Sequence, residues 1–147
     1  MADGFDLVLR GGTCVTSKGT AIADIGVQDG KIAAIGALDL GASDHTIDVS
    51  HLCVLPGAID AQVHFREPGM EHKEDIATGT LAAVKGGVTT VFDMPNTKPP
   101  TISEVQLADK VARCHHRAWA DIAFFIGATP DNAEHLRELE RLPGVAG

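Results

Sequence analysis

A chain of 147 residues, 44% hydrophobic and 22% charged, is long enough for a real hydrophobic core and is neither disordered nor low in complexity. Its net charge of −8 and scattered basic residues exclude a nucleic-acid footprint and argue equally against an anionic membrane surface. Three widely spaced cysteines (Cys14, Cys53, Cys114), an opening segment Met1-Ala-Asp-Gly-Phe-Asp6 without an apolar leader, and no apolar run near the roughly 20 residues of a membrane span imply a soluble, cytoplasmic protein with reduced thiols.

Short strands dominate the first fifty-five residues. Phe5, Leu7 and Leu9 alternate with Asp6, Val8 and Arg10, and Gly11-Gly12 then offers a turn. Residues 25–28 and 31–35 flank Asp29-Gly30, a pair that tolerates the positive φ angles of a type I′ hairpin turn. Further strand-like pieces at 46–49 and 53–55 complete a small β domain over residues 1–55.

At Pro56-Gly57 the rhythm changes. Residues 58–65 read as a strand and 66–74 as a polar loop. Ile76, Thr80, Ala83 and Val84 then mark one face of a helix that Gly86-Gly87 stops. Residues 88–94 form a β-branched run of buried-strand type. Thr101-Ile-Ser-Glu104 matches a capping box, opening a helix with Val105, Ala108, Val111 and Ala112 inward. A third strand covers 121–127, and Thr129-Pro130 opens a helix with Ala133, Leu136 and Leu139 at core spacing. Val145-Ala-Gly147 has the look of an approach to a fourth strand. Three strand–helix units in succession imply parallel strands with right-handed crossovers. An open doubly wound sheet and the first part of a (β/α)8 barrel both satisfy that pattern.

Chemistry concentrates between Pro56 and Gly69. The two-residue period of a strand puts Asp60, Gln62, His64 and Arg66 in one polar series near its C-terminal end, opposite Ala61, Val63 and Phe65. Ligands of parallel α/β proteins bind at such strand ends, and a polar row is costly to bury unless each group is paired or bound. Other signals are weaker. Glu71-His-Lys-Glu-Asp75 reads as a solvated loop and helix start, and adjacent His115 and His116 as surface histidines.

The series Asp60-x-Gln62-x-His64-x-Arg66 resembles the dihydroorotases of the amidohydrolase superfamily. So do Glu67-Pro-Gly-Met-Glu-His-Lys-Glu-Asp75, Thr78-Gly79, Ala82-Ala83, Gly86-Gly-Val-Thr-Thr-Val91 and Asp93-Met-Pro-Asn-Thr97. The resemblance implies an α/β chain: a small β domain, then over residues 56–147 the first three β/α units of a (β/α)8 barrel with a metal centre at its mouth. The family motif is Asp-x-His-x-His. His64 matches its second metal histidine, Gln62 stands in place of the first and is a poorer ligand, and Asp60 would support them from behind. Arg66 and Asn96 would bind the substrate carboxylate, Arg66 through its planar fork. Zinc, as one or two ions, is the implied cofactor. Allantoinases, the nearest competitors, carry Trp-Glu-Gly near Lys73-Glu-Asp75 and Pro-Leu-Asn-Ser near Pro95-Asn-Thr97, and both differences favour dihydroorotase.

The implied activity is reversible hydrolysis of dihydroorotate to N-carbamoyl-aspartate in pyrimidine synthesis. The family's catalytic aspartate and remaining metal ligands are expected beyond Gly147, leaving the chain by itself incomplete for catalysis. One alternative is a catalytically silent homologue serving as a scaffold, for instance for aspartate transcarbamoylase. Another is an allantoinase- or hydantoinase-type enzyme. Retention of His64, Arg66 and Asn96 together favours an enzyme. Its expected partners are a small carboxylate-bearing cyclic amide and further copies of the chain.

Overall fold

In the computed structural model, which describes residues 4–38 and 43–147, the chain forms two compact units, Met1–Pro56 and Gly57–Gly147. Met1–Asp3, the start of the segment read above as lacking an apolar leader, lie outside the described residues. None of the described helices is long and apolar enough to cross a membrane.

The first unit is a mixed sheet of β1 (Phe5–Thr16), β2 (Gly19–Gln28), β3 (Lys31–Gly36), β4 (Ser43–Asp48) and the short β5 (Cys53–Val54). Strands run in the order β3-β2-β1-β4, with β5 also paired to β1. Gly11-Gly12 does not turn the chain, contrary to the sequence expectation. β1 continues through the pair, and the extra residue is absorbed as a bulge between Leu9↔Ile25 and Gly12↔Ala23. Gly11 takes a left-handed φ of 71° and donates its N–H to Asp24 Oδ1 at 2.8 Å, so the glycine bends a strand rather than ending it. The Asp29-Gly30 hairpin has φ of 51° and 71°, the double positive φ of a type I′ turn.

The second unit carries the parallel sheet. Its elements are β6 (Ala58–Val63), α1 (Ile76–Lys85), β7 (Val88–Asp93), α2 (Glu104–Cys114), β8 (Asp121–Phe124), a 3-10 turn (Ala133–His135) and the short α3 (Leu136–Leu139). The strands neighbour one another in chain order, β6-β7-β8, all parallel. Val145 adds a parallel bridge to Phe124, and Ala146 N–H donates to Phe124 O at 2.8 Å, so the last residues begin a fourth parallel position.

Asp75 caps α1 by accepting the Thr78 N–H at 2.8 Å, and Gly86 receives its C-terminal end. Ile76 and Thr80 are buried as the pattern requires, whereas Val84 is 39% exposed. The core gathers Phe65, Ile76 and Val91, with Val63, Ala83, Val88 and Cys114 packed against it.

α2 departs furthest from expectation. It begins two residues later than the Thr101 capping box implies: Ser103 is the N-cap, and its hydroxyl contacts Gln106. Thr101 is instead held in the preceding loop, its N–H on Pro95 O and its carbonyl accepting Gly127 N–H. The helix buries Leu107 and Lys110, while Val105, Ala108, Val111 and Ala112, the expected inward face, are exposed. The reason is electrostatic. Lys110 turns inward to a buried carboxylate, and the helix rotates with it.

Candidate active site at the ends of β6 and β7

The polar series on β6 is not a simple alternating row. The β6–β7 register slips between Asp60↔Val91 and Val63↔Asp93, so three steps on one strand face two on the other. Asp60 Oδ1 turns back to accept the Gln62 N–H at 3.0 Å. Asp60 and Gln62 are both exposed, and the bulge removes the ground for assigning Asp60, Gln62, His64 and Arg66 to one face by spacing.

What the fold does bring together is His64 and Asn96, thirty-two residues apart in sequence. His64 Nδ1 lies 2.9 Å from Asn96 Oδ1. With the carboxamide oxygen facing the ring, this contact is a hydrogen bond in the form of the ring that carries its proton on Nδ1. The Asn96 amino group retains two N–H donors for a further acceptor. Arg66, half-buried in the loop after β6, makes no ion pair among the described residues.

The two loops that carry these residues are stitched together. Met94 N–H donates to Val63 O at 2.9 Å and Lys98 N–H to Pro68 O at 3.0 Å. Gly69 has a φ of 91°, and a Cβ there would stand 2.1 Å from Lys98 O, so only glycine permits this approach.

Sequence reasoning missed the groups that anchor these loops. Asp93 and Lys110 form an ion pair of 2.7 Å in which neither side chain is exposed. Asp93 Oδ1 also accepts Phe65 N–H at 2.8 Å, and Lys110 donates to Met94 O at 3.2 Å. Burial is the larger influence on Asp93 and holds its carboxyl above the ordinary value, with the Lys110 ammonium and the Phe65 N–H pulling the other way. The one available signal was a carboxylate closing an apolar β-branched run, which needs a partner if buried.

Glu67 is the second anchor. It accepts both Arg117 nitrogens, at 2.6 and 3.0 Å, and the Ile76 N–H at 3.1 Å. Burial by itself raises its carboxyl, but the Arg117 fork, the Ile76 N–H and Arg113 together outweigh it and leave Glu67 below its ordinary value. Partial burial against the core pushes the Cys114 thiol up to about 11.

As a zinc site the described residues are insufficient. His64 offers one ring nitrogen and Gln62 a neutral amide, and no three His, Cys, Asp or Glu side chains among the described residues are grouped to hold a metal. Zinc at this place needs further ligands.

The dihydro-orotase-like family model matches residues 52–142. An allantoinase from Escherichia coli O1:K1 / APEC is 41% identical over 144 residues, which cover 97% of this chain and 31% of that protein. Among solved structures, L-hydantoinase (dihydropyrimidinase) from Arthrobacter aurescens superposes with a TM-score of 0.81 at 32% identity, covering 92% of this chain and 31% of that one. D-hydantoinase from Bacillus sp. AR9 gives 0.70 at 32% identity, covering 91% and 30%. The chain thus spans 31% of the length of the allantoinase it matches. The matched segment contains both His64, just after β6, and Asn96, in the loop after β7, and the chain belongs to the dihydro-orotase-like family.

Proposed function

We propose that this chain forms one side of the active site of a cyclic-amide hydrolase of (β/α)8 architecture, acting on a carboxylate-bearing ring of the dihydroorotate type. The observation that carries this reading is the 2.9 Å contact between His64 and Asn96 at the C-terminal ends of adjacent parallel strands. The sequential strand order supports a barrel over a doubly wound sheet, whose order reverses at a switch point.

In this reading Arg66 grips the substrate carboxylate with its fork, and the Asn96 amino group donates to the same end of the ring. Asn96 Oδ1 fixes the His64 tautomer and so directs Nε2 toward the reacting end. When bound, zinc supplies the activated water. His64 is its one imidazole donor among the candidate residues. Cytoplasmic placement and self-association belong to the same proposal.

A second reading has its own support. The 41% identity to an allantoinase over 97% of the chain favours a ring without a carboxylate. The full-length protein is to be assayed for ring opening on dihydroorotate, allantoin, hydantoin and dihydrouracil. Dihydroorotate should be preferred, and Arg66→Met should lower kcat/KM for it by about 10- to 100-fold, with little effect on hydantoin. A preference for allantoin, unmoved by Arg66→Met, replaces the first reading with the second. No turnover on any ring, with metal supplied, overturns the enzyme reading and leaves the scaffold.

A further inference from the structure

We propose that Asp93 and Lys110 are positioning residues, a buried ion pair that sets His64 and Asn96 in register with each other. The inference rests on the reading of those two as site residues. Asp93 ends β7, three residues before Asn96, and Phe65, whose N–H it accepts, follows His64 directly. Each carboxylate oxygen has a separate partner: Oδ1 takes Phe65 N–H at 2.8 Å, and Oδ2 takes Lys110 Nζ at 2.7 Å. Lys110 reaches on to Met94 O at 3.2 Å, and Met94 N–H returns to Val63 O at 2.9 Å. One carboxylate and one ammonium thereby tie residues 63–65 to residues 93–94. The third strand backs the ammonium, with Nζ 5.1 Å from the Phe124 ring centroid.

Packing does not require this pair. Two apolar side chains of similar volume fill such a space at equal or lower free-energy cost, because neither has to be desolvated. The ion pair adds direction. With both oxygens committed, the β6 exit has one register against the β7 exit, and the His64–Asn96 distance follows from it.

The test compares two double variants of the full-length protein. Asp93→Leu with Lys110→Met removes both charges and the tether to Phe65. Asp93→Asn with Lys110→Gln removes the charges and keeps an acceptor for Phe65 and a donor for Met94. The readout is the tautomer of His64 by 15N shifts in histidine-labelled protein freed of metal, because an ion on Nε2 would by itself hold the Nδ1–H form. The signal is assigned with His64→Gln, and rates are read with metal restored. Wild type should show the Nδ1–H form. The Leu/Met variant should lose it and drop kcat about 100-fold with a smaller change in KM, as expected for a misplaced group. The Asn/Gln variant should restore the Nδ1–H form and most of the rate. A Leu/Met variant that keeps the Nδ1–H form overturns the proposal, as does an Asn/Gln variant that loses it to the same extent. Val91→Ala, a core change that leaves the tether in place, controls for stability, and an equal tautomer shift there also overturns it. Should the Leu/Met chain not fold, amide exchange in wild type decides: Phe65 and Met94 should be as protected as Val91, and loop-like exchange refutes the tether. Absence of turnover in wild type defeats the enzyme reading while leaving the tautomer result to stand or fall separately.

Discussion

Lys110→Met isolates the energetic consequence of burying Asp93. The substitution keeps the length of the side chain and removes the ammonium, leaving Asp93 Oδ2 without the partner it has at 2.7 Å and Met94 O without the donor at 3.2 Å. Neither charged side chain has any exposure through which water could compensate. Removing one member of such a pair costs about 3–5 kcal/mol, roughly a 100- to 5,000-fold fall in the folded-to-unfolded ratio. With a urea dependence of about 1–3 kcal/mol per molar, the midpoint should fall by about 1–5 M. The assay is urea unfolding followed by fluorescence of Trp119, the single tryptophan, which lies in the second unit between α2 and β8. The deficit should also shrink in acid. Burial already raises the Asp93 carboxyl above its ordinary 3.8, and loss of Lys110 removes the main opposing influence. A carboxyl raised in the folded state binds its proton more tightly there, so the variant gains relative stability as pH falls through the folded-state value toward 3.8. Adding Asp93→Leu should recover most of the loss at neutral pH. A single variant within about 0.5 kcal/mol of wild type, the scatter of ordinary surface changes, would refute the argument that this pair is buried and mutually dependent.

Glu67→Gln should destabilise the second unit by about 1–3 kcal/mol at pH 7, the lower part of the range reflecting the solvent access of Arg117. The Glu67 carboxyl is lowered in the folded state, so its contribution is present above the ordinary 4.5 and lost as pH falls below it. Thermal melts across that interval should therefore show a flatter acid limb in the variant, and parallel limbs would count against the assignment. Gly69→Ala forces a Cβ onto Lys98 O and a positive φ onto alanine. It should cost about 2 kcal/mol and speed exchange of the Lys98 amide, and an unchanged Lys98 amide would show that the two loops are not in register through this contact. Gln62→His in the full-length protein should raise bound zinc per chain, measured by elemental analysis after dialysis. Unchanged stoichiometry there argues that position 62 does not face the metal.

Much of the organisation was legible from local chemistry. The Asp29-Gly30 hairpin, the stop at Gly86-Gly87 and the start of a fourth strand at Val145 depend on neighbours within a few residues. The face of α2 was not legible in this way. A helix written with Val105, Ala108, Val111 and Ala112 on one side presents that side outward, because Lys110 is drawn in by a carboxylate seventeen residues earlier. Hydropathy places a lysine outside, and only the position of Asp93 reverses it.

For the candidate site the division is similar. The sequence by itself determined which chemical groups are available at the ends of β6 and β7: His64, Arg66 and Asn96, with an amide at Gln62. It also determined the family, through motifs whose residues are near one another in the chain. Only the tertiary structure decided which of those groups meet. The bulge between Asp60 and Val63 broke the expected row, and the parallel pairing of β6 with β7 put His64 against Asn96. Register is a property of two strands at once. A one-residue slip redirects the side chains that follow, and the bonds that prevent it here, from Asp93, Lys110 and the Gly69–Lys98 approach, link segments that no local pattern connects.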